Sequence, residues 1–240
     1  MALLEVRGIG KSFRGLRALH DVSFDVPAGA IHAMIGPNGA GKTTCFNVMA
    51  GVYKPDAGSI HFDGKPIAGL RPDQICRAGI GRTFQVVKPF PGLSVLDNVM
   101  VGALNATDSV RQARIEALRV LDLLHLADKA RHVASSLTLP ERKRIEVARA
   151  MATRPKLLLL DEVMAGLRPT EVDEMVAVFR RVNQETGTTI LLIEHVMRAV
   201  MALAQHIVVL HYGEKICEGA PVDVVRDPAV LECYLGEEAV

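Results

Sequence analysis

Residues 36–43 read Gly36-Pro37-Asn38-Gly39-Ala40-Gly41-Lys42-Thr43 and fit the pattern G-x-x-x-x-G-K-[ST]. A short apolar run at residues 30–35 precedes it and predicts a buried strand, and residues 42–50 follow it with a helical pattern. Gly51 is the expected stop of that helix. A chance match in a chain of 240 residues has odds on the order of one in a hundred. The order strand, loop, helix therefore predicts a phosphate-binding loop rather than an ordinary glycine-rich turn.

The chemistry of this loop follows from its residue types. Glycines let the backbone wrap around phosphates with successive N–H groups pointing inward, and the start of the next helix adds its positive dipole. We expect Lys42 to reach the β- and γ-phosphates and the Thr43 hydroxyl to bind Mg²⁺. Thr44 and the rest of the loop are assigned to the same ligand, ATP; these residues are Gly36, Pro37, Asn38, Gly39, Ala40 and Gly41.

Two carboxylates, Asp161 and Glu162, follow a run of four leucines at residues 157–160. Acidic residues after a strand are usually just solvated, so this pattern is weak alone. Beside a phosphate loop it gains weight, because open α/β sheets bind ligands beyond the carboxyl ends of their strands. We expect Asp161 to meet Mg²⁺ and Glu162 to polarise the attacking water as a general base.

His195 ends the next predicted strand at the same sheet edge as Glu162. A lone histidine is more often a satisfied structural residue than a catalytic one. At this edge, however, its side chain would touch the γ-phosphate, and we favour the catalytic interpretation.

The strand patterns are of two kinds. Residues 3–26 alternate apolar and polar side chains, which predicts half-buried antiparallel strands, and residues 58–64 predict another edge strand. Continuous apolar runs separated by helical segments predict a parallel sheet covered on both faces; they lie at residues 156–160, 188–193 and 206–210.

Helical patterns fill the middle of the chain. Residues 95–128 have a helical pattern, with apolar side chains at three- and four-residue spacing over residues 111–124, and a second helix is expected to start at Pro140. A later helix is predicted at 170–185, with Thr170 as its N-cap and Gly187 as its stop. We expect one domain over residues 1–240, of class α/β. Its P-loop NTPase core of mostly parallel sheet carries an N-terminal antiparallel β subdomain and a helical insertion subdomain at about 87–155.

Composition restricts the function further. Hydrophobic residues make up 49% of the chain and charged residues 23%, which is typical of a globular protein. The net charge of +1 gives no basic footprint for nucleic acid. No signal peptide or membrane span is visible, and the four cysteines have no C-x-x-C spacing. We expect a reducing, cytoplasmic location, with any work at a membrane done by docking onto other subunits.

Together these motifs resemble the ATP-binding cassette (ABC) ATPases over nearly the whole chain. The resemblance makes Phe13 the adenine-stacking aromatic, although on its own it is as readily a core residue of a strand. It makes Gln85 a catalytic and Mg²⁺-sensing residue that couples to a transmembrane partner, within Gly81-Arg82-Thr83-Phe84-Gln85. Glu194-His195 matches the family's histidine switch, and the loop that crosses to the other subunit matches Ala165-Gly166-Leu167-Arg168-Pro169.

Within the family, the chain is most similar to the ATPases of branched-chain amino-acid importers. The stretches that carry this similarity include Asp161-Glu162-Val163-Met164-Ala165-Gly166-Leu167, Ile193-Glu194-His195-Val196-Met197 and Tyr234-Leu235-Gly236. ATPases for urea or other amides, or for lipopolysaccharide export, share much of the pattern. The enzyme class is therefore better specified than the cargo.

Two departures from the family pattern matter, one in the signature stretch and one at Arg168. The signature Leu-Ser-Gly-Gly-Gln corresponds here to Leu137-Thr138-Leu139-Pro140-Glu141. Thr138 keeps a hydroxyl for the γ-phosphate of the opposite subunit, but Pro140 has no N–H to donate. Arg168 stands where close relatives usually carry Asn.

The resemblance also implies partners. In this family the complete site lies between two ATPase subunits, so a second ABC ATPase, identical or related, is expected. Transmembrane permease subunits would hold the chain at the inner face of the cell membrane, and a solute-binding protein would take part indirectly. The alternatives are another cargo, a soluble ABC ATPase without a membrane partner, and a non-catalytic nucleotide binder.

Overall fold

The computed structural model describes residues 2–84 and 88–235. Within these ranges the strands are β1 (Ala2–Phe13), β2 (Leu16–Pro27), β3 (Ile31–Ile35), β4 (Ala57–Phe62), β5 (Lys65–Pro66), β6 (Ile80–Arg82), β7 (Leu157–Asp161), β8 (Thr189–Ile193), β9 (His206–His211) and β10 (Glu214–Gly219). The α-helices are α1 (Lys42–Met49), α2 (Pro72–Ala78), α3 (Val95–Ala103), α4 (Val110–Leu123), α5 (Leu139–Met151), α6 (Pro169–Thr186), α7 (Met197–Leu203), α8 (Pro221–Val224) and α9 (Pro228–Leu235).

Four strands form an antiparallel sheet in the order β2-β1-β4-β5. The alternation in β1 explains its place there, because Leu4 and Val6 are fully buried while Arg7 is exposed. Leu4 lies opposite Val26 on one side and opposite Phe62 on the other. The predicted N-terminal antiparallel strands are confirmed.

Six strands form a second sheet in the order β10-β9-β3-β8-β7-β6. All neighbours in it are parallel except β10, which pairs antiparallel with β9 at one edge. Every residue of β3, β7 and β8 is buried, which accounts for their continuous apolar runs. The carboxyl ends of these three strands lie side by side at one edge of the sheet. The predicted parallel core is therefore confirmed.

The two faces of this sheet belong to two cores. Leu158 and Leu160 pack into the core that contains the apolar residues of α3–α6. Leu157 and Leu159 pack into the core shared with the antiparallel sheet and α1. Because side chains alternate along a strand, one run of leucines joins both layers.

Helices α3, α4 and α5 lie between β6 and β7 in the chain. Ser94 starts α3, where its hydroxyl accepts from the Asp97 N–H at 3.0 Å, and Ser109 starts α4 in the same way with Gln112 at 3.3 Å. Pro140 lies in the first turn of α5, close to the predicted start. Among the described helices, none is both long enough and apolar enough to cross a bilayer.

One predicted helix start was wrong. Helix α6 begins at Pro169, and its N-cap is Arg168, whose N–H donates to Glu171 Oε2 at 2.8 Å. The predicted cap, Thr170, is already a helical residue. The reason is Pro169, because its fixed φ and missing N–H suit the first helical position. The predicted stop was right, since Gly187 ends α6 with a φ of 69°.

Candidate functional site

The phosphate loop joins β3 to α1, and two neighbouring strands fix its shape. Gly36 has a φ of 146°, and a Cβ at this position would lie 2.0 Å from the Leu210 carbonyl oxygen of β9. Gly41 has a φ of 98°, and its Cβ would lie 2.6 Å from the Ala18 carbonyl oxygen of β2. Any other residue at either position would collide with backbone, so the loop depends on both glycines.

Lys42 lies under this loop and is only 5% exposed. Its Nζ donates to the carbonyl oxygens of Gly36 and Pro37, at 2.6 and 2.8 Å. The positive charge is therefore placed where the loop wraps, at the start of α1. Thr43, the next residue, is exposed beside it.

An open cavity of about 690 Å³ lies against the loop. The segment from Asn38 to Thr44 lines it, together with Phe13, Glu162 and Tyr212. The Phe13 ring packs edge-to-face on Tyr53, with centroids 5.0 Å apart, and remains 36% exposed. The structure thus brings the predicted aromatic residue and the predicted phosphate loop to one cavity.

Tyr212 also lines this cavity, and no pattern in the sequence predicted it there. The turn that carries it is held against the loop because the Gly213 N–H donates to the Ala40 carbonyl oxygen at 3.0 Å. Tyr212 itself is 78% exposed. No motif marks an aromatic residue in a turn between two strands, so only the fold places it here.

Glu162 and His195 meet where β7 and β8 end. His195 Nε2 lies 2.6 Å from Glu162 Oε1. The chain leaves β7 through Glu162, which has a φ of 50° and donates its N–H to the Ile193 carbonyl oxygen at 2.9 Å. A positive φ is uncommon outside glycine, and such backbone strain is typical of functional sites.

Asp161, the last residue of β7, is 1% exposed and lies beside Arg82. The Arg82 guanidinium reaches Asp161 Oδ2 at 3.3 Å and Asn47 Oδ1 at 2.7 Å. Burial raises the pKa of Asp161, and the neighbouring Arg82 opposes that shift. Arg82 had no predicted role, although a charged residue at the end of a short strand is a usable signal.

The residues around Asp161 fit a hard cation. The other carboxylate oxygen, Oδ1, is buried and has no hydrogen-bond partner among the described residues. Asp161 and Thr43 line the same cavity of about 410 Å³. Mg²⁺ is usually bound by one or two carboxylates together with substrate phosphates, so one carboxylate and one hydroxyl beside a phosphate loop suit it.

Of the predicted site residues that the structure describes, Gly36, Pro37, Thr138 and His195 do not line either cavity. Gln85 lies outside the described residues. Thr138 is exposed at the start of α5, and its hydroxyl donates to Glu141 Oε2 at 2.9 Å.

Comparisons with known proteins agree with this geometry. Residues 19–165 match the family described as ABC transporter, and residues 214–240 match the family described as branched-chain amino acid ATP-binding cassette transporter. The high-affinity branched-chain amino acid transport ATP-binding protein BraF of Pseudomonas aeruginosa is 38% identical, over 98% of this chain and 98% of its own. The probable branched-chain amino acid transport ATP-binding protein LivG of Archaeoglobus fulgidus is 35% identical, over 99% and 97%. A crystal structure of an ATP-binding cassette of an ABC transporter in its ADP conformation superposes with a TM-score of 0.90, at 31% identity, over 98% of this chain and 99% of that one.

Proposed function

Because the chain is an ATPase of the ABC transporter family, we propose that it powers the import of branched-chain amino acids through a membrane transporter. The support for this cargo comes from the relatives. Both relatives named above are ATP-binding proteins of branched-chain amino acid transport, and each matches over nearly the full length of both chains. The match at residues 214–240 is to a family of the same cargo.

The catalytic proposal is carried by the contact between His195 Nε2 and Glu162 Oε1, which are 2.6 Å apart, because Glu162 lines the nucleotide cavity. Glu162 would accept a proton from the attacking water, the role of a general base in phosphoryl transfer to water. His195 would fix the orientation of that carboxylate and reach the γ-phosphate from its side of the cavity.

The phosphate loop would bind ATP through its backbone N–H groups and the start of α1. Lys42 would turn from the carbonyls of Gly36 and Pro37 to the phosphate oxygens, a short movement because its Nζ already lies under the loop. Phe13 would stack on adenine, since its partly exposed ring lines the same cavity as the loop.

Mg²⁺, when bound, would neutralise charge that develops on the β- and γ-phosphates. Thr43, Asp161 and Gln85 would hold it. Arg82 supports this arrangement, because it fixes Asp161 through Oδ2 and leaves Oδ1 for another ligand.

A second ABC ATPase, either another copy or a related chain, would complete each site. The support is the position of Thr138, which is exposed and lies apart from its own chain's phosphate loop. Thr138 of one subunit would then contact the γ-phosphate bound by the other. ATP would act both as substrate and as a contact between the subunits.

Transmembrane permease subunits would hold this chain at the membrane. They would also receive the movement that ATP binding and hydrolysis produce in the ATPase subunits. A groove of about 170 Å³ lies beside Phe84 and Val101, which are 56% and 44% exposed. Phe84 directly precedes Gln85 in the sequence, and the resemblance assigns Gln85 to permease coupling. A solute-binding protein would deliver the amino acid to the permease without touching this chain.

Affinity purification of the tagged chain from detergent-solubilised membranes tests the cargo. We expect two polytopic subunits, a second ABC ATPase and a branched-chain amino-acid-binding protein to co-purify. A lipid or polysaccharide export assembly would overturn the cargo and direction while leaving the ATPase. Absence of any polytopic partner would refute the transport role.

A further inference from the structure

Helix α5 carries a buried cation that the mechanism above does not use. Lys143 is 5% exposed, although it lies only one turn beyond Thr138 at the start of the helix. Burial lowers the pKa of its ammonium group. A charge in a protein interior is costly unless it is hydrogen-bonded or paired, so the partners of Lys143 indicate why it is there.

One partner is the backbone of Glu162. Lys143 Nζ donates to the Glu162 carbonyl oxygen at 3.2 Å, and the Ala165 N–H reaches the same oxygen at 3.3 Å. On its other side, the Glu162 N–H donates to the Ile193 carbonyl oxygen. Lys143 thus helps to hold a residue whose φ of 50° is unfavourable for a side chain.

The second partner is electrostatic. Glu194, which precedes His195, is 1% exposed, and its Oε1 accepts from the Met164 N–H at 2.8 Å. Burial raises the pKa of Glu194 to about 7, and the positive charge of Lys143 opposes that shift. The interior beneath the two catalytic candidates therefore contains one cation and one carboxylate, and each reduces the cost of burying the other.

We propose that Lys143 is a positioning residue for ATP hydrolysis, which holds the Glu162 peptide so that the general base keeps its place against His195. Glu194 is its counter-charge. Because α5 starts at Thr138, the same lysine links the surface offered to a second subunit's nucleotide with the base in its own subunit. This inference rests on the proposed role of Glu162.

Stability alone does not account for such a pair. Replacing a buried ion pair with apolar residues is often neutral or stabilising, whereas a misplacement of about 1 Å in a catalytic group costs roughly 100-fold in rate. The hydrogen bond to the Glu162 backbone is the contact that an apolar pair would not reproduce.

The experiment compares Lys143→Met, Glu194→Gln and the double variant with wild type. Each is measured for kcat, for MgATP affinity by calorimetry and for its thermal midpoint. We expect Lys143→Met to lower kcat about 10- to 100-fold, with the dissociation constant of MgATP changed less than about threefold. Lys156→Met serves as the control, since Lys156 forms an exposed ion pair with Asp63 away from the cavity.

The double variant separates positioning from charge balance. It removes the buried Glu194 carboxyl, which without Lys143 must either keep an unpaired charge or take up a proton, so its thermal midpoint should return toward that of wild type. We expect the kcat of the double variant to remain about 10- to 100-fold lower than the kcat of Glu194→Gln. Equal kcat values would mean that Lys143 only neutralises Glu194, and a parallel loss of MgATP affinity would place Lys143 in binding; either result overturns the inference. If Lys143→Met does not fold, this pair of variants carries the test.

Glu162→Gln, measured in parallel, distinguishes this inference from the proposed function. Normal hydrolysis by Glu162→Gln would refute the general base and the inference with it. An inactive Glu162→Gln together with an active Lys143→Met would refute the inference alone.

Discussion

Two helices of this molecule begin at stretches that the sequence assigns to nucleotide, and they begin differently. Helix α1 follows the phosphate loop, and no side chain in the described part of the chain caps its first turn. Helix α5 follows Thr138, whose N–H and hydroxyl both donate to Glu141 Oε2, at 2.8 and 2.9 Å. One helix start is open and the other is closed by its own carboxylate.

The difference matters because the N-terminus of a helix attracts anions. At α1 that position is left for the phosphates of this chain's own ATP. At α5 Glu141 already occupies it, and Lys129 lies 3.3 Å from the other oxygen of that carboxylate. When the second subunit's ATP binds at this proposed surface, its γ-phosphate must therefore displace the Glu141 carboxylate from the start of α5. Binding within one chain and closure between two chains should accordingly respond to different substitutions.

The largest expected effect comes from Glu162→Gln. Loss of the general base should lower kcat about 10²- to 10⁴-fold, while MgATP still binds. The variant should accumulate as a closed dimer with both helix starts on one nucleotide, which light scattering with ATP and without it would detect. Glu185→Gln, an exposed carboxylate at the end of α6, is the control. Normal turnover by Glu162→Gln would sink the general-base assignment.

Lys42→Ala should weaken nucleotide binding at the open helix start, the start of α1. A hydrogen bond to a charged group contributes roughly 1.5–3 kcal/mol, so MgATP affinity should fall about 10- to 150-fold. Calorimetry on the isolated chain measures it, with Lys156→Ala as the control, since Lys156 directly precedes β7, at the other end of that strand from Asp161. Affinity equal to wild type would count against the whole site.

Pro140→Gly should strengthen ATP-dependent dimerisation through the closed helix start, the start of α5. The substitution restores an N–H in the first turn of α5, at the cost of roughly 0.4–1 kcal/mol from the more flexible unfolded chain. In a Glu162→Gln background, the dimer formed with ATP should dissociate about three- to tenfold less readily. Pro221→Gly makes the same change at the start of α8 and should leave dimerisation unchanged. A weaker dimer would mean that Pro140 itself contacts the partner.

The open helix start was predicted from the sequence together with its ligand. For the closed one only the position near Pro140 was predicted, although Thr138 and Glu141 fit the spacing of a capping box. The phosphate loop has a short motif whose glycines and lysine each have one physical purpose, so the pattern specifies both the fold and the ligand. Glu162 and His195 were placed at one sheet edge because adjacent parallel strands end together, and the structure puts them in contact. Signals of this kind are local or follow from strand order.

Other contacts depend on packing between distant segments. Arg82 reaches Asp161 across 79 positions of the chain, and Lys143 reaches the Glu162 backbone across 19. Neither distance follows from a motif. The N-cap of α6 was misplaced for a local reason, since a proline one residue earlier decided the start.

Glu141→Gln should change dimerisation no more than Pro140→Gly does, and it tests the difference between the two helix starts most directly. Removing the carboxylate charge beside an incoming γ-phosphate is worth about 1 kcal/mol near the surface, so ATP-driven dimerisation in a Glu162→Gln background should tighten about fivefold. Because the effect is electrostatic, it should fade as salt is raised from about 0.05 to 0.5 M, whereas the effect of Pro140→Gly should persist. The chain without nucleotide should lose roughly 0.3–1 kcal/mol of stability, since α5 loses an anion at its N-terminus.

Asp97→Asn is the matched control, because the Ser94 hydroxyl donates to this carboxylate at the start of α3 in the same way. It should reproduce the stability loss and leave the dimer unchanged. A salt-independent change, or an equal change with Asp97→Asn, would show that Glu141 serves only its own helix and that the two helix starts do not differ in function.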